Sequence, residues 1–320
     1  MRFLADERLY TDTARCLEFL RELDTEAETP PSGQRDRYHL YWHGPFSRKQ
    51  ALAVKSFLAT QNLDHTELWL WLDDEAGYEG HAENPYLRPL RPFLQVRRFD
   101  PTLEAADTPL QGRSDLYQGA RPSPRSDFFR FVVLYKHGGT YVDMDVMFLR
   151  DLRMLRSDAR FSGEFCYRWS THLPYGNSAV LALRKESDTA LALLARCAET
   201  GSCYPRTVLD FDANRHVDLM VVPCVAFDPL WPHHDGQNEY TSAPFSRFPE
   251  FFRRFGWWFR RPRLRSHREF FPGAFTYHWH NCWDAPEHED SYFGLFDAEF
   301  DRVLRERLAV EPASPGGAPR

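Results

Sequence analysis

The chain has 320 residues and a formal net charge of −6 at pH 7. A net negative charge, without a basic block of the kind that neutralises phosphate backbones, argues against nucleic acid as a partner. Hydrophobic residues make up 42% of the sequence and aromatic residues 15%, enough to build the core of an α/β enzyme with insertions.

We expect no export or anchoring signal at the N-terminus, because Arg2, Asp6 and Glu7 interrupt its few apolar residues. No window approaches the apolar length that spans a bilayer, so we expect no integral membrane segment. These two features predict a cytoplasmic protein. The six cysteines lack any Cys-x-x-Cys spacing, which indicates reduced thiols and neither a zinc cluster nor a disulfide framework. They are Cys16, Cys166, Cys197, Cys203, Cys224 and Cys282.

The first elements in chain order predict an N-terminal extension followed by a βαβ unit. Residues 5–22 have helical spacing, and a Pro-rich linker completes an extension that we assign to residues 1–32. We expect the fold proper to start after that linker, as a catalytic domain at residues 33–310. Strands are predicted at residues 38–43 and 66–72, with a helix capped by Ser47 and running to Thr60 between them.

The elements that follow alternate in the way that favours a nucleotide-binding α/β half. After a strand at residues 94–99 and a polar loop at 100–124, the second half of the chain is predicted to contain three strands and one helix. These are strands at 160–165, 178–183 and 219–227 and a helix at 187–198. An aromatic, Arg-rich stretch occupies residues 245–265, and the Pro-, Gly-, Ala- and Ser-rich tail at 311–320 is expected to be disordered.

The most informative segment lies between the polar loop and the second half of the chain. Its apolar run at residues 128–135 predicts a buried helix, with Ser126 as the N-cap and Asp127 in the first turn. Asp127 and Arg130, three residues apart, share one face of this helix. Gly138 and Gly139 are expected to end the helix and turn the chain into a strand.

On that strand, side-chain alternation places Tyr141, Asp143 and Asp145 on one face. Two carboxylates held so close repel each other unless a positive charge lies between them. Hard oxygen ligands suit Mg²⁺ or Mn²⁺, which keep coordination positions free for substrate phosphates. The pattern therefore predicts a divalent-metal site that binds a nucleotide diphosphate.

The combined pattern Ser126-Asp127-x-x-Arg130 and Leu134-Tyr135-x-x-Gly138-Gly139-x-Tyr141-x-Asp143-x-Asp145 resembles the sugar-binding region with the DXD motif of GT-A glycosyltransferases. The group that it resembles includes initiating α-1,6-mannosyltransferases, α-1,4-galactosyltransferases and the glucosylating domains of large clostridial toxins. The resemblance spans roughly twenty residues and is more specific than a bare Asp-x-Asp. It implies an α/β fold of the GT-A type, with a single mixed, mostly parallel sheet flanked by helices.

The resemblance also implies roles for these residues. Asp145 corresponds to the direct metal ligand, and Asp143 to a carboxylate that holds donor hydroxyls and also touches the metal. Asp127 and Arg130 correspond to contacts of the donor sugar and phosphates, and Tyr141 lines the same pocket. Structural alternatives stay open: a helix-dipole partner for Asp127, a buried ion pair for Arg130, packing for Tyr141 and a solvated strand edge for the two motif aspartates.

Further candidates come from outside the motif. Trp42, at the end of the first strand, matches a Trp that stacks on uracil in the toxin domains, and core packing is its alternative role. Asn177 matches an amide near the donor sugar and the acceptor, and a turn-forming role is its alternative. Asp73 and Asp74 follow the second strand, where either nucleoside binding or a solvated turn is expected.

The segment from Thr276 to Trp283 resembles a late His-x-Trp…Trp element that closes over the donor and adds a metal or pyrophosphate contact. Its spacing departs from the family pattern, so His278 and His280 compete as metal ligands. Strand alternation puts both histidines on one face and therefore does not decide which of them is the ligand. A neutral imidazole suits Mn²⁺ better than Mg²⁺, and capping of a sheet edge is the alternative role.

Together these features predict a metal-dependent, retaining glycosyltransferase that moves a hexose from a nucleotide-diphosphate sugar, a UDP-hexose, to a hydroxyl of a polysaccharide, glycan or protein. Two alternatives are a metal-dependent nucleotide-sugar phosphohydrolase and a non-catalytic carbohydrate-binding module with a transferase-like fold. An aspartyl-phosphate phosphatase is disfavoured, because a Gly-Gly turn precedes the motif and Met147 stands where such enzymes need Thr or Val.

Overall fold

The computed structural model of the protein describes residues 1–23, 35–73, 80–118, 123–158, 160–161, 163–234, 236 and 243–310. Within these residues, eight strands form one large sheet and two form a small one. The large sheet contains β1 Arg2–Phe3, β2 Asp36–Trp42, β3 Thr66–Leu72, β4 Gln95–Arg98, β5 Gly139–Val142, β7 Phe165–Arg168, β8 Gly176–Leu183 and β9 Met220–Val222. The small sheet pairs β6 Val146–Phe148 with β10 Thr276–His278.

The strand order of the large sheet is β1-β9-β7-β8-β5-β2-β3-β4. Strand β8 is antiparallel to both of its neighbours, β5 and β7, and the other pairings are parallel. This confirms the prediction of a mixed, mostly parallel sheet. The two-stranded sheet was not predicted, because residues 128 to 132 positions apart along the chain pair to form it.

Helices flank both faces of the large sheet. They are α1 Thr13–Arg21, α2 Arg48–Thr60, α3 Pro101–Ala105, α4 Ser123–His137, α5 Arg153–Ser157, α6 Asp188–Thr200, α7 Pro205–Val208, α8 Trp231–His234 and α9 Tyr292–Val310. Alternate residues of β3 separate two cores: Leu68, Leu70 and Leu72 pack with α1, α2 and α9, whereas Trp69 and Trp71 pack with α4 and α6. Such two-sided burial is typical of strands covered by helices on both faces.

The first βαβ unit follows the prediction closely. Strand β3 has the predicted bounds, and β2 is shifted by no more than two residues at either end. Ser47 caps α2 with a capping box, in which its backbone N–H donates to Gln50 Oε1 at 2.7 Å.

The predicted start of the helix that carries Asp127 and Arg130 is wrong. Helix α4 begins at Ser123, so Ser126 lies within its first turns instead of at the N-cap. Pro124 fits there, because the first turn of a helix needs no backbone N–H from it. The predicted loop at residues 100–124 also contains the short helix α3 and a 3-10 turn at Ser114–Leu116.

Two strands of the second half are displaced from their predicted positions. Strand β7 begins only at Phe165, where the strand predicted at 160–165 was to end. Strand β9 stops at Val222, because Pro223 cannot donate a ladder hydrogen bond, and a 3-10 turn follows at Cys224–Ala226. Helix α6 keeps its predicted place, with Ser187 as the N-cap.

The N-terminal segment contributes directly to the sheet and the core. Strand β1 pairs in parallel with β9, and Cys16, Leu17 and Leu20 of α1 are buried in the core that contains α2 and α9. The expectation that the fold starts after the linker is therefore wrong for residues 1–23, because β1 completes one edge of the sheet. The predicted linker residues 24–32 and the tail 311–320 lie outside the described residues.

All six cysteines are free, and five of them are buried. In the described part of the chain, no helix is both long and apolar enough to cross a membrane.

Candidate active site

Asp143 and Asp145 lie in a turn at the carboxyl end of the central strand β5, not on the strand as predicted. Strand β5 ends at Val142, and the Val146 N–H donates to the Asp143 carbonyl at 3.2 Å across the turn. Both carboxylates nevertheless face the same cavity. Their proximity therefore comes from a tight turn between β5 and β6 and not from strand alternation.

Two glycines set the direction in which the chain enters this turn. Gly138 has φ +64° and Gly139 has φ +111°, conformations that side chains other than glycine rarely adopt. A Cβ on Gly139 would lie 2.3 Å from the Arg37 carbonyl oxygen of β2. The predicted Gly-Gly stop is confirmed, and Gly139 is also needed for close contact between β5 and β2.

The small sheet brings His278 and His280, the late histidines, next to the turn that contains Asp143 and Asp145, which we call the acidic turn. Val146 of β6 pairs with His278 of β10, and the Trp279 N–H donates to the Asp145 carbonyl at 3.0 Å. His280 and Asn281 follow with φ of +48° and +53°, in the left-handed region. This strained turn aims the Asn281 N–H at Asp145 Oδ2, at 2.7 Å.

Asp145 is a buried anion held by two donors. Its Oδ2 lies 3.2 Å from His278 Nε2, in addition to the Asn281 contact. Burial raises the pKa of the Asp145 carboxyl, but the His278 charge and hydrogen bond, with the Asn281 N–H, outweigh burial and hold it at about 2. Asp145 is thus ionised at neutral pH and ready to bind a cation.

His278 and His280 stack on each other, with ring centroids 3.8 Å apart, but have different partners. His280 Nε2 lies 2.6 Å from Oδ2 of the fully buried Asp228, whereas His278 Nδ1 lies 3.8 Å from the same oxygen. Burial lowers the pKa of His278, and the Asp145 and Asp228 carboxylates more than offset this and raise it to about 9. The prediction that strand alternation places both histidines is wrong for His280, because β10 ends at His278.

Arg130 is the buried cation of the site. Its Nη2 lies 3.1 Å from Asp127 Oδ1 and 3.2 Å from Asp143 Oδ1, and its Nη1 donates to Ser178 Oγ at 2.6 Å. The guanidinium carbon lies 4.6 Å from the Tyr141 ring centroid. A fixed guanidinium between two carboxylates is suited to bind a phosphate oxygen.

Asp127 and Tyr141 complete this polar cluster. Burial raises the pKa of Asp127 to about 6, because the Arg130 charge offsets the effect only in part and Asp143 adds to it. The Tyr141 hydroxyl donates to Asp143 Oδ1 at 2.5 Å, and burial raises its pKa well above the usual value. Tyr141 therefore orients the Asp143 carboxylate as a neutral donor.

Aromatic and amide side chains form the rest of the wall. The Trp42 and Trp283 ring centroids are 4.7 Å apart, and the Trp42 indole N–H donates to the Pro45 carbonyl at 3.0 Å. Asn177 is buried, and its Oδ1 accepts from the Ala179 N–H at 2.8 Å, which leaves its amide N–H groups for a ligand or for water.

These side chains surround one cavity of about 590 Å³. Apart from Asp73 and Asp74, every candidate site residue of the sequence analysis lines it, whether from β2, α4, β5, the turn after β5, β8 or the β10 segment. A larger cavity of about 1050 Å³ lies around Gln61 and Arg150, but it is lined by neither motif aspartate and neither late histidine. The chemistry therefore favours the smaller cavity.

Two groups of side chains could hold a divalent cation, and His278 belongs to both. One is Asp143, Asp145 and His278, and the other is Asp228, His278 and His280; within each group the ligand atoms lie within 4.8 Å of one another. Among the described residues, His278 Nδ1 and Asp228 Oδ1 are buried without a hydrogen-bond partner. Two carboxylates and an imidazole facing a cavity fit Mn²⁺ or Mg²⁺ with open positions.

Sequence reasoning missed Asp228, and of the two roles that it left open for Asp73 the structure excludes the solvated turn. Asp228 follows a short strand without any motif, and only the fold places it beside the histidines. Asp73 is buried, and it accepts from the Tyr41 hydroxyl at 2.5 Å and from Arg125 Nη2 at 2.6 Å, so it is not a solvated turn residue. Asp74 lies outside the described residues.

The fold is that of the GT-A glycosyltransferases. The apo form of the glycosyltransferase GlyE from Streptococcus pneumoniae TIGR4 superposes with a TM-score of 0.50 at 12% identity, covering 86% of this chain and 64% of GlyE. The chain therefore spans just under two thirds of the length of GlyE.

Residues 98–162 match the family model described as "Glycosyltransferase sugar-binding region containing DXD motif", which confirms the predicted resemblance. Two other solved structures are similar at TM-scores of 0.44. PaToxG glycosyltransferase has 14% identity, with 66% of this chain and 79% of that chain covered. Mouse xyloside xylosyltransferase 1 has 16% identity, with 79% and 99% covered. A search of curated protein sequences finds no match.

Proposed function

We propose that this protein is a metal-dependent, retaining glycosyltransferase that transfers a hexose from a UDP-hexose to a hydroxyl of a carbohydrate or protein acceptor. One observation carries the proposal: Asp143, Asp145 and His278 offer ligand atoms within 4.8 Å of one another, on the wall of a cavity that also contains buried Arg130. A cation and a guanidinium so placed would bind a diphosphate together. Retention and the hexose donor come from the family resemblance.

In this proposal, a divalent cation held by Asp143, Asp145 and His278 supplies offsetting charge for the leaving diphosphate. Arg130 adds a second positive charge that burial and five oxygen partners keep in place. Preorganised charge of this kind stabilises the transition state without rearrangement during the reaction. No side chain is required as a covalent nucleophile.

The remaining wall residues position the two sugars. Asp127 accepts hydrogen bonds from donor hydroxyls, and Asn177 contributes amide N–H groups near the transferred sugar. Trp42 and Trp283 offer flat apolar surfaces for the base of the nucleotide. We place the protein in the cytoplasm, in keeping with its six free thiols.

Screening UDP-glucose, UDP-galactose, UDP-GlcNAc and GDP-mannose for Mn²⁺-stimulated release of nucleoside diphosphate tests the proposal. Asp145→Asn should lower the stimulated rate at least ~100-fold, because it removes a charge at the metal. Asp151→Asn, which removes a carboxylate paired with Arg153 outside the cavity, should leave the rate unchanged. Far-UV circular dichroism checks that both variants are folded.

The products separate the proposed function from its alternatives. Free sugar with nucleoside diphosphate indicates a transferase that uses water as acceptor, whereas sugar phosphate or inorganic phosphate indicates a phosphohydrolase. Full activity of Asp145→Asn would count against the metal site. Absence of metal-dependent UDP binding in calorimetry would favour a non-catalytic module.

A further inference from the structure

A second feature of the molecule lies outside the candidate active site, in the aromatic and Arg-rich stretch. We call residues 253–265 the tryptophan loop. It carries six arginines and no acidic residue, although the whole chain has a net charge of −6. All six guanidinium-bearing residues are exposed: Arg253, Arg254, Arg260, Arg261, Arg263 and Arg265. The loop is therefore a local concentration of positive charge on an acidic protein.

Two indole side chains stand at the tip of this loop. Trp257 is 79% exposed and Trp258 is 90% exposed. Exposed apolar residues are common when they occur singly, but two adjacent tryptophans with almost no burial are not. Such a pair indicates a surface that becomes covered by a partner.

The base of the loop holds the tip in place. The Gly256 N–H donates to the Phe259 carbonyl at 2.8 Å, which closes a turn around Trp257 and Trp258. The Phe255 and Phe259 rings stack at 5.7 Å and pack against Tyr292, 5.3 and 6.0 Å away. The neighbouring aromatic residues are thus used for packing inside the protein, whereas the two tryptophans are not.

The combination fits one kind of partner. Tryptophan is amphipathic and favours the boundary between lipid headgroups and acyl chains. Arginines near a membrane surface are attracted to anionic headgroups, and the attraction adds over several side chains. We propose that the tryptophan loop docks the protein onto an anionic membrane surface, with Trp257 and Trp258 inserted at the headgroup level and the six arginines on the lipid phosphates.

Other occupants fit less well. Duplex nucleic acid would meet the arginines with its phosphates but offers no apolar layer for the two exposed indoles. A second copy of the loop would bring like charges together.

The loop is also connected to the candidate active site. Phe252, immediately before the loop, makes an edge contact with Trp279 at 6.2 Å, and Lys49 Nζ lies 4.6 Å from the same phenyl ring. Lys49 Nζ also donates to the carbonyls of Cys282 and Ala285, in the segment that carries Trp283. Docking through the loop would hold the cavity near the membrane surface, where a lipid-linked acceptor would be found.

Vesicle flotation of the purified full chain tests the proposal without any enzymatic readout. We expect the protein to float with phosphatidylcholine vesicles that contain phosphatidylglycerol and not with phosphatidylcholine alone. High salt should weaken binding, because it screens the arginines. The double variant Trp257→Ser/Trp258→Ser should bind at least ~10-fold more weakly, since it removes both inserted side chains.

Matched controls separate the loop from general surface properties. Leu103→Ser removes another exposed apolar side chain, 64% exposed, and should leave binding unchanged. Arg260→Gln/Arg261→Gln should weaken binding to anionic vesicles and reduce its salt dependence. Arg302→Gln/Arg305→Gln, which removes two exposed arginines of α9, should not.

Three results would overturn the proposal. The first is absence of flotation with anionic vesicles, and the second is equal loss of binding in the control variants. The third is a dimer that the double tryptophan variant dissociates in size-exclusion chromatography without lipid, because the loop would then be a self-association surface. Nucleoside diphosphate release from a soluble donor, measured in parallel, should be the same in the loop variants and wild type, so a failure here is distinguishable from a failure of the proposed function.

Discussion

Asp228 shows how one side chain without a motif can control the chemistry of another. It is fully buried, and its Oδ2 lies 2.6 Å from His280 Nε2 and 3.8 Å from His278 Nδ1. This carboxylate accepts a hydrogen bond from His280, and its negative charge on the Nδ1 side of His278 helps to raise the pKa of that imidazole. Asp228 is thus placed to hold His280 and to add negative charge behind the imidazole of His278 at the candidate metal site.

Asp228→Asn should therefore lower Mn²⁺ affinity ~10- to 100-fold while the fold is retained. Isothermal titration of the metal-free protein with Mn²⁺ measures the change. Glu164→Gln serves as the control, because Glu164 is a buried carboxylate that accepts from the Arg184 N–H and Ser187 Oγ, away from the cavity. Equal Mn²⁺ affinity in Asp228→Asn and Glu164→Gln would refute the role of Asp228.

Asp127 is a residue whose charge costs stability. Its folded pKa of about 6 lies above the value of an exposed aspartate, near 3.8. A raised carboxyl pKa means that the folded state holds its proton more tightly than the unfolded chain does. Stability therefore falls as pH rises from about 4 to about 6, and the penalty is constant above that window.

In the metal-free protein, Asp127→Asn should be more stable than wild type at pH 7 by ~1 to 3 kcal/mol, since a shift of one pKa unit corresponds to ~1.4 kcal/mol. The difference should shrink towards zero at about pH 4. Denaturant midpoints of both proteins across this range measure it. A gap that does not change with pH would show that Asp127 is not the titrating group. The same variant should bind the donor less tightly, which is the exchange of stability for function expected at such sites.

At the scale of elements, the sequence predicted structure well wherever local signals agree. The apolar run before Asp73 and Asp74 gave the bounds of β3, and the Ser47 capping box gave the start of α2. Asp143 and Asp145 line one cavity, but strand alternation is not the reason, since both lie in a turn beyond the strand. Alternation cannot reveal where a strand ends.

Long-range pairing accounts for what could not be predicted. Strand β10 carries His278 to β6, and neither of these three-residue strands has a periodic signal of its own. The positive φ values of His280 and Asn281 depend on that pairing and on the contact with Asp145. The choice between His278 and His280 is thus a tertiary property.

The Gly-Gly turn offers a direct test of how an element positions the site. Gly139→Ala should destabilise the protein by ~2 kcal/mol or more, because the new Cβ would meet the Arg37 carbonyl oxygen at 2.3 Å in addition to adopting an unfavourable φ. It should also weaken Mn²⁺ binding, since β5 must move away from β2 and take the acidic turn with it. Thermal unfolding and Mn²⁺ titration measure the two effects.

Gly112→Ala is the matched control for backbone strain alone. Gly112 also has a positive φ, +75°, but a Cβ at this position would meet no heavy atom within 4 Å. We expect a loss of only ~1 kcal/mol and unchanged metal affinity. If both variants bind Mn²⁺ like wild type, β5 does not control the geometry of the acidic turn.

At the scale of the whole molecule, the N-terminal segment and the rest of the sheet share one core. Leu20 of α1 is fully buried in the same core as residues of α2 and α9, and β1 pairs with β9. The sequence could not reveal this packing, because a Pro-rich linker is compatible both with an N-terminal segment that packs on the domain and with one that does not. Shared burial predicts that the segment unfolds together with the sheet.

Leu20→Ala should therefore lower the free energy of unfolding of the whole domain by ~2 to 5 kcal/mol, the range for emptying a buried leucine site. Circular dichroism and tryptophan fluorescence should report one shifted transition, because tryptophans of β3 lie across the sheet from α1. Leu103→Ala, at an exposed leucine, should leave both curves in place. A main transition unaffected by Leu20→Ala would show instead that residues 1–23 form an independent extension, as the linker had suggested.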